Sequence, residues 1–260
     1  MRRASRSKVI FFIGFVAAAF FCAWPVLTLS AQEQSFKITP LRPVDELRVE
    51  ALKQKPPDEA QPPQQEPGQA KLEFRKSELV ELRKLEPSIH LDVRYATANN
   101  FMGSPMYSQA RAFLQRPAAE ALVRASQRLK TQGYGLLVHD GYRPWYVTWM
   151  FWNATPDDKK IFVADPKEGS KHNRGCAVDL SMYDLKTGKP VDFPSGYDEM
   201  TPRAFPDYTG GTPQQNMHRK ILREAMEAEG FLQNPKEWWH YDYKEWKLYR
   251  IGNQKFEDIR

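Results

Sequence analysis

The chain has 260 residues, 41% hydrophobic and 27% charged. That is enough to bury one ordinary core and too polar for a polytopic membrane protein. Of its formal net charge of +6, four charges belong to Arg2, Arg3, Arg6 and Lys8, and the first 31 residues hold no acid. The remainder carries +2, which leaves little support for nucleic-acid binding. No repeat of roughly 20–50 residues points to a solenoid or propeller.

In chain order, the basic start gives way to an uncharged stretch from Val9 to Leu27, then to small Ser30 and Ala31. A basic region, an apolar run and a small-residue exit describe an export signal. The apolar run of about 19 residues also approaches the length that spans a bilayer. Residues 1–31 therefore read as a signal peptide or an N-terminal membrane anchor. Both place the body outside the cytoplasm, periplasmic or attached to the cell envelope, with membrane contact only through that anchor.

Residues 32–70 contain seven prolines, seven glutamines and one aromatic residue, Phe36. This composition cannot offset its ordering entropy by burial, so a disordered Pro/Gln-rich linker is expected, with 45–54 as a stretch able to form a short helix.

The globular domain is expected over 71–260. Ile89, Leu91, Val93 and Tyr95 alternate with polar residues, the period of a half-buried strand. Residues 117–132 begin with proline, carry Leu122, Ala125 and Leu129 at helical spacing, and stop before Gly133. A short buried strand follows at 135–139, then a helix at 144–153 with Trp145, Trp149 and Trp152 on one stripe, read as core packing. A strand is expected over 176–183, an amphipathic helix over 213–229 ending at Gly230, and a last strand over 238–243. Helices and strands do not alternate strictly, which indicates an α+β fold.

Three short segments carry the chemistry. In Ser170-Lys-His172-Asn-Arg-Gly175-Cys-Ala-Val-Asp179, a loop histidine, a glycine turn and a strand aspartate can aim at one point. In Glu237-Trp-Trp-His240-Tyr-Asp-Tyr, a carboxylate and an imidazole sit three residues apart. His172, Asp179 and His240 together offer two nitrogens and one oxygen, the three protein ligands of an open catalytic Zn²⁺ site, one ion per chain. Glu237 then stands beside the third ligand as a general base. Taken singly, each residue has a structural alternative, and the case rests on their co-occurrence; His90, His139 and His218 lack such surroundings and read as structural. Asp140-Gly-Tyr-Arg143-Pro follows a buried strand, so Arg143 is either a fixed oxyanion stabiliser or a structural partner of Asp140. Cys176, without an intrachain partner outside the leader, reads as a small buried residue.

These three segments, with Tyr95-Ala-Thr-Ala-Asn-Asn-Phe-Met-Gly103, resemble the zinc D-Ala-D-Ala dipeptidases, the VanX-like branch of the M15 metallopeptidases, over roughly 75–245. The resemblance implies a single hedgehog/DD-peptidase-like domain with a central antiparallel sheet flanked by helices. It implies His172, Asp179 and His240 as zinc ligands, Glu237 as catalytic base and Arg143 as transition-state stabiliser. It further implies Asp198 as a contact for the substrate amino group, with Ser170 and Tyr95 in the pocket. The expected activity is hydrolysis of D-alanyl-D-alanine, the partner being a dipeptide or a peptidoglycan-derived peptide. The alternative is a zinc D,D- or L,D-carboxypeptidase trimming peptidoglycan stems. A non-catalytic wall-binding module would have a damaged ligand set, and none of these residues is missing.

Overall fold

A computed structural model describes residues 36–57 and 73–260. The expected export segment, and residues 32–35 and 58–70 of the expected linker, lie outside the described residues. In chain order the elements are α1 (Val44–Ala51), β1 (Leu79–Glu81), the single turn α2 (Leu82–Leu85), β2 (His90–Leu91), β3 (Phe113–Gln115), α3 (Arg116–Lys130), β4 (Tyr134–Asp140), α4 (Trp145–Ala154), β5 (Ala177–Asp184), α5 (Pro213–Glu227), β6 (Phe231–Gln233) and β7 (His240–Tyr243). Strands β1 and β3 form a small antiparallel pair, and the main sheet runs β2-β4-β5-β7-β6. Its pairs are antiparallel except β2 with β4, which is parallel. The expected antiparallel sheet is thus a mixed sheet with one parallel edge, within the expected α+β architecture.

Local sequence explains where the helices start and stop. α3 has proline in its first turn, where the missing N–H costs nothing, and the chain leaves it through Gly133 at φ 86°. α5 opens on a reciprocal cap, Thr212 accepting from the Gln215 backbone while the Gln215 side chain accepts from Thr212 N–H. Its Leu222, Ala225 and Met226 are buried, and it packs against α3, β5 and β6. Burial of an apolar stripe of this kind supplies most of a helix's stability.

β5 departs from simple alternation. Every residue from Ala177 to Tyr183 is buried, the polar Asp179 and Ser181 included, because the second face turns to a polar cluster rather than to water. The strand expected over 89–95 is correspondingly short. Only His90 and Leu91 pair with β4, and the chain then winds into a tight turn at Arg94–Ala96. There Tyr95 O accepts the backbone N–H groups of Met106 and Tyr107, so the loop 96–105 folds back on itself instead of extending the sheet.

The larger departure lies in the expected linker, although α1 falls where a short helix was open to residues 45–54. Residues 36–54 are ordered against the domain: α1 buries Leu47 and Ala51 and packs on α4. Phe36 and Ile38 lie against the core. Backbone N–H groups of Ile38 and Leu41 donate to Phe101 O and Ala154 O, at 3.0 and 2.9 Å. A few apolar residues at the right positions outweigh the polar average of the segment. Among the described residues, no helix is long and apolar enough to cross a membrane.

Candidate active site

Register places the site. Asp140 of β4 lies opposite Asp179 of β5, and Asp179 opposite His240 of β7, so three polar residues stand in one row across neighbouring strands. The β4–β5 ladder shifts between Val138 and Asp140, and such a bulge re-aims the side chains beyond it. Two glycines let the loops approach. A Cβ on Gly141 would stand 2.6 Å from Phe113 O, and Gly175 sits at φ 67° with a Leu79 methyl 2.6 Å from where its Cβ would be. Each position excludes a side chain.

His172 is fixed by Nδ1, which lies 2.7 Å from Gly141 O; a carbonyl only accepts, so the ring carries its proton there and turns Nε2 into the site. His240 is fixed the other way round, with Nε2 2.8 Å from Asp242 Oδ1, leaving Nδ1 facing inward. Tyr197 donates its hydroxyl to Asp179 Oδ2 at 3.1 Å, while Asp179 Oδ1 is buried without a hydrogen-bond partner. The three inward atoms form a tight triangle: His172 Nε2 to His240 Nδ1 3.1 Å, Asp179 Oδ1 to His240 Nδ1 3.0 Å and to His172 Nε2 3.3 Å.

Three acceptors facing one another need a cation, and these three residues can hold a metal ion. A tetrahedral ion about 2.0–2.2 Å from its ligands spaces them about 3.3–3.6 Å apart, so the triangle has to open by only a few tenths of an ångström. The outward atoms already carry the hydrogen bonds that orient metal ligands. Burial would raise the Asp179 pKa, but His172 and then His240 hold it well below the usual carboxylate range.

Around this triangle is a cavity of about 370 Å³. All eight residues singled out in the sequence line it: Tyr95, Arg143, Ser170, His172, Asp179, Asp198, Glu237 and His240. Glu237 Oε2 is 3.8 Å from His240 Nδ1 and accepts from Asn234 Nδ2 at 3.0 Å. Burial lifts its pKa to about 7, with His240 opposing. Ser170 Oγ accepts from His172 N–H at 3.2 Å. Asp198 Oδ2 accepts the Tyr95 hydroxyl at 2.8 Å, and burial, reinforced by Asp179, pushes its pKa well above the usual value. Asp198 has φ 59°, the one positive value outside glycine among the described residues; backbone strain of this kind gathers at functional sites.

Arg143 is paired with Asp140 and also faces the cavity. Its Nε and Nη2 donate to Asp140 Oδ2 at 2.9 and 2.8 Å, yet the guanidinium still lines the cavity, with Nη2 3.8 Å from Asp179 Oδ2. Its Cζ lies 5.4 Å from the Tyr95 ring centre and 4.9 Å from that of Phe151. Asp140 therefore pins the arginine rather than removing it from the site.

Sequence reasoning missed several partners. Asp140 was legible only as a possible ion pair, Tyr107 reaches it from a distant loop at 2.8 Å, and Tyr197 carried no signal. Asp242 did carry one: two residues beyond His240 on a strand, it shares that residue's face. The histidines read as structural do have partners away from the triangle. His139 Nε2 lies 2.9 Å from Ser181 Oγ and His218 Nδ1 2.9 Å from Asp192 O, and His90 stacks on Tyr183. Of the tryptophan stripe, Trp145 is buried and donates to Pro166 O, and Trp149 packs on the core. Cys176 is buried and free.

The profile of the Peptidase_M15 family, described as D-ala-D-ala dipeptidase, matches residues 75–258. The chain belongs to that family. It is 33% identical over 180 residues to the D-alanyl-D-alanine dipeptidase of Escherichia coli K12, spanning 69% of this chain and 92% of that one. To the enzyme of the same name from Enterococcus faecium it is 35% identical over 178 residues, 62% of this chain and 88% of that one. A solved LdcB LD-carboxypeptidase aligns at a TM-score of 0.34 and 21% identity, over 57% of this chain and 70% of that chain. The family match begins at residue 75 and so leaves α1 outside it.

Proposed function

We propose that the chain is an exported zinc dipeptidase that hydrolyses D-alanyl-D-alanine to D-alanine, with Glu237 as the general base. The observation that carries this reading is the buried Asp179 Oδ1, unpartnered and facing two oriented imidazole nitrogens, with Glu237 and Arg143 on the walls of the same cavity. Family membership supports the substrate, and the ligand set of two histidines and a carboxylate supports zinc over calcium or magnesium, which prefer oxygen.

When bound, zinc supplies Lewis acidity at the scissile carbonyl and lowers the pKa of water. The protein does the rest. Glu237 takes the proton of the attacking water on Oε2 and delivers a proton to the leaving amine. A buried carboxylate with a pKa lifted to about 7 is well suited to both halves of that transfer. Arg143, held rigid by Asp140, donates to the oxygen on which negative charge develops. Asp198 receives the substrate's ammonium group, a favourable partner for a carboxylate buried this deeply, and Tyr95 holds its position. A pocket of about 370 Å³ that reads a free amino end favours a dipeptide over a longer chain.

The test is release of D-alanine by the zinc-loaded protein from D-Ala-D-Ala and from a stem pentapeptide ending in D-Ala-D-Ala. Cleavage of the free dipeptide with little on the pentapeptide is expected. The opposite preference would move the assignment to a wall-trimming carboxypeptidase.

A further inference from the structure

The N-terminal segment 36–51 lies outside the family match yet is built into the wall that holds Arg143. The guanidinium of Arg143 rests between Asp140 on one edge and the rings of Tyr95 and Phe151 on its face. Phe101 backs both rings, 6.1 Å from Tyr95 and 4.7 Å from Phe151 between centres, and itself lines the cavity. The N-terminal segment reaches Phe101 directly, and Phe151 and Tyr95 through the elements that carry or hold them. Ile38 N–H donates to Phe101 O at 3.0 Å. α1 packs on α4, which carries Phe151, and Leu41 N–H takes the last carbonyl of α4, Ala154 O, at 2.9 Å. The Arg48 guanidinium donates to Pro105 O and Met106 O, and the Met106 and Tyr107 N–H groups in turn hold Tyr95 O at 2.7 and 2.9 Å.

We propose that residues 36–51 are a positioning brace for the arginine–aromatic wall of the pocket, so that full turnover requires a segment the family match does not include. The segment touches the walls at three separate places, with Leu47 and Ala51 wholly buried beneath it, more attachment than a tether needs. None of these contacts involves the metal triangle, whose ligands sit on β5, β7 and the 170–175 loop. Loss of the brace therefore leaves metal binding intact and loosens Arg143. Since Arg143 acts on charge that exists only in the transition state, the loss falls on kcat more than on KM.

The inference rests on the dipeptidase reading for its kinetic arm, and a second arm stands without it. In the full zinc-loaded chain, Leu47→Asp and Arg48→Ala would be compared with wild type and with the volume-conserving Leu47→Met. Expected are unchanged zinc content and a kcat on D-Ala-D-Ala lowered about tenfold to a hundredfold, the scale of a displacement near 1 Å in a catalytic group. Leu47→Met retains activity. Hydrogen exchange rises at 95–107 and 145–154 in the two disruptive variants. Should Leu47→Asp fail to fold, Arg48→Ala, whose side chain lies at the surface of the segment, carries the comparison. Unchanged kcat together with unchanged exchange in these two segments would overturn the brace. A wild-type protein inactive on D-Ala-D-Ala would instead refute the dipeptidase reading, and the exchange measurement would still decide the brace.

Discussion

Arg143 places both Nε and Nη2 on one oxygen of Asp140, at 2.9 and 2.8 Å. The other oxygen of Asp140 is occupied by the Tyr107 hydroxyl at 2.8 Å and the Gly141 N–H at 2.9 Å. Both partners are buried, so the pair is a fixed element of the cavity wall. A buried ion pair is not by itself strong evidence for stability, but this one fixes the direction in which a guanidinium can donate.

Removing the acid should therefore cost both stability and turnover. Asp140→Ala takes from a buried arginine its hydrogen-bonded partner, a change that typically costs about 3–5 kcal/mol, and leaves only Asp179 at 3.8 Å, freeing Arg143 to swing. Thermal unfolding and kcat measured on the same preparation should both fall. Arg143→Lys should retain the fold better but lose most activity, because one ammonium cannot reproduce a planar fork.

The Tyr197 hydroxyl leaves Asp179 one oxygen to offer, and orienting partners of this kind are worth about 10–100-fold in metal affinity. Tyr197→Phe should weaken zinc binding within that range in competition with a chromogenic chelator, with little change in the melting temperature of the metal-free protein. Equal zinc affinity in the two proteins would remove Tyr197 from the account.

Metal removal should destabilise the domain. A ligand at about 1,000 times its dissociation constant adds about 4 kcal/mol, which for a domain of this size raises Tm by about 10 °C. Melting with excess zinc and with chelator should show such a shift, and His172→Ala should abolish it.

The ligand motifs were legible because each is short and contiguous, so spacing alone carries them. Asp140 and Tyr197 were not, because what joins them to the site is strand register, a bulge in β4 and the return of a distant loop. Segment 36–54 misled for a different reason. Its prolines and glutamines dominate the composition of 32–70, while the residues that dock it (Ile38, Leu47 and Ala51) are too few to shift an average. Burial depends on which positions are apolar rather than on how many, and that arrangement is decided only when α4 is there to receive it. The strand at 89–95 was over-extended likewise: its alternation is real, with Ile89, Val93 and Tyr95 all buried, but the inward residues are reached through a turn.

The most direct measurement is D-alanine release from D-Ala-D-Ala by zinc-loaded wild type and by Glu237→Gln, with zinc content determined for both. Equal zinc in the two proteins, turnover in the wild type, and a loss of about 10²–10⁴-fold in the variant, the usual contribution of general acid–base catalysis, are expected. Undiminished turnover by Glu237→Gln at equal zinc content would contradict the role of Glu237 as general base.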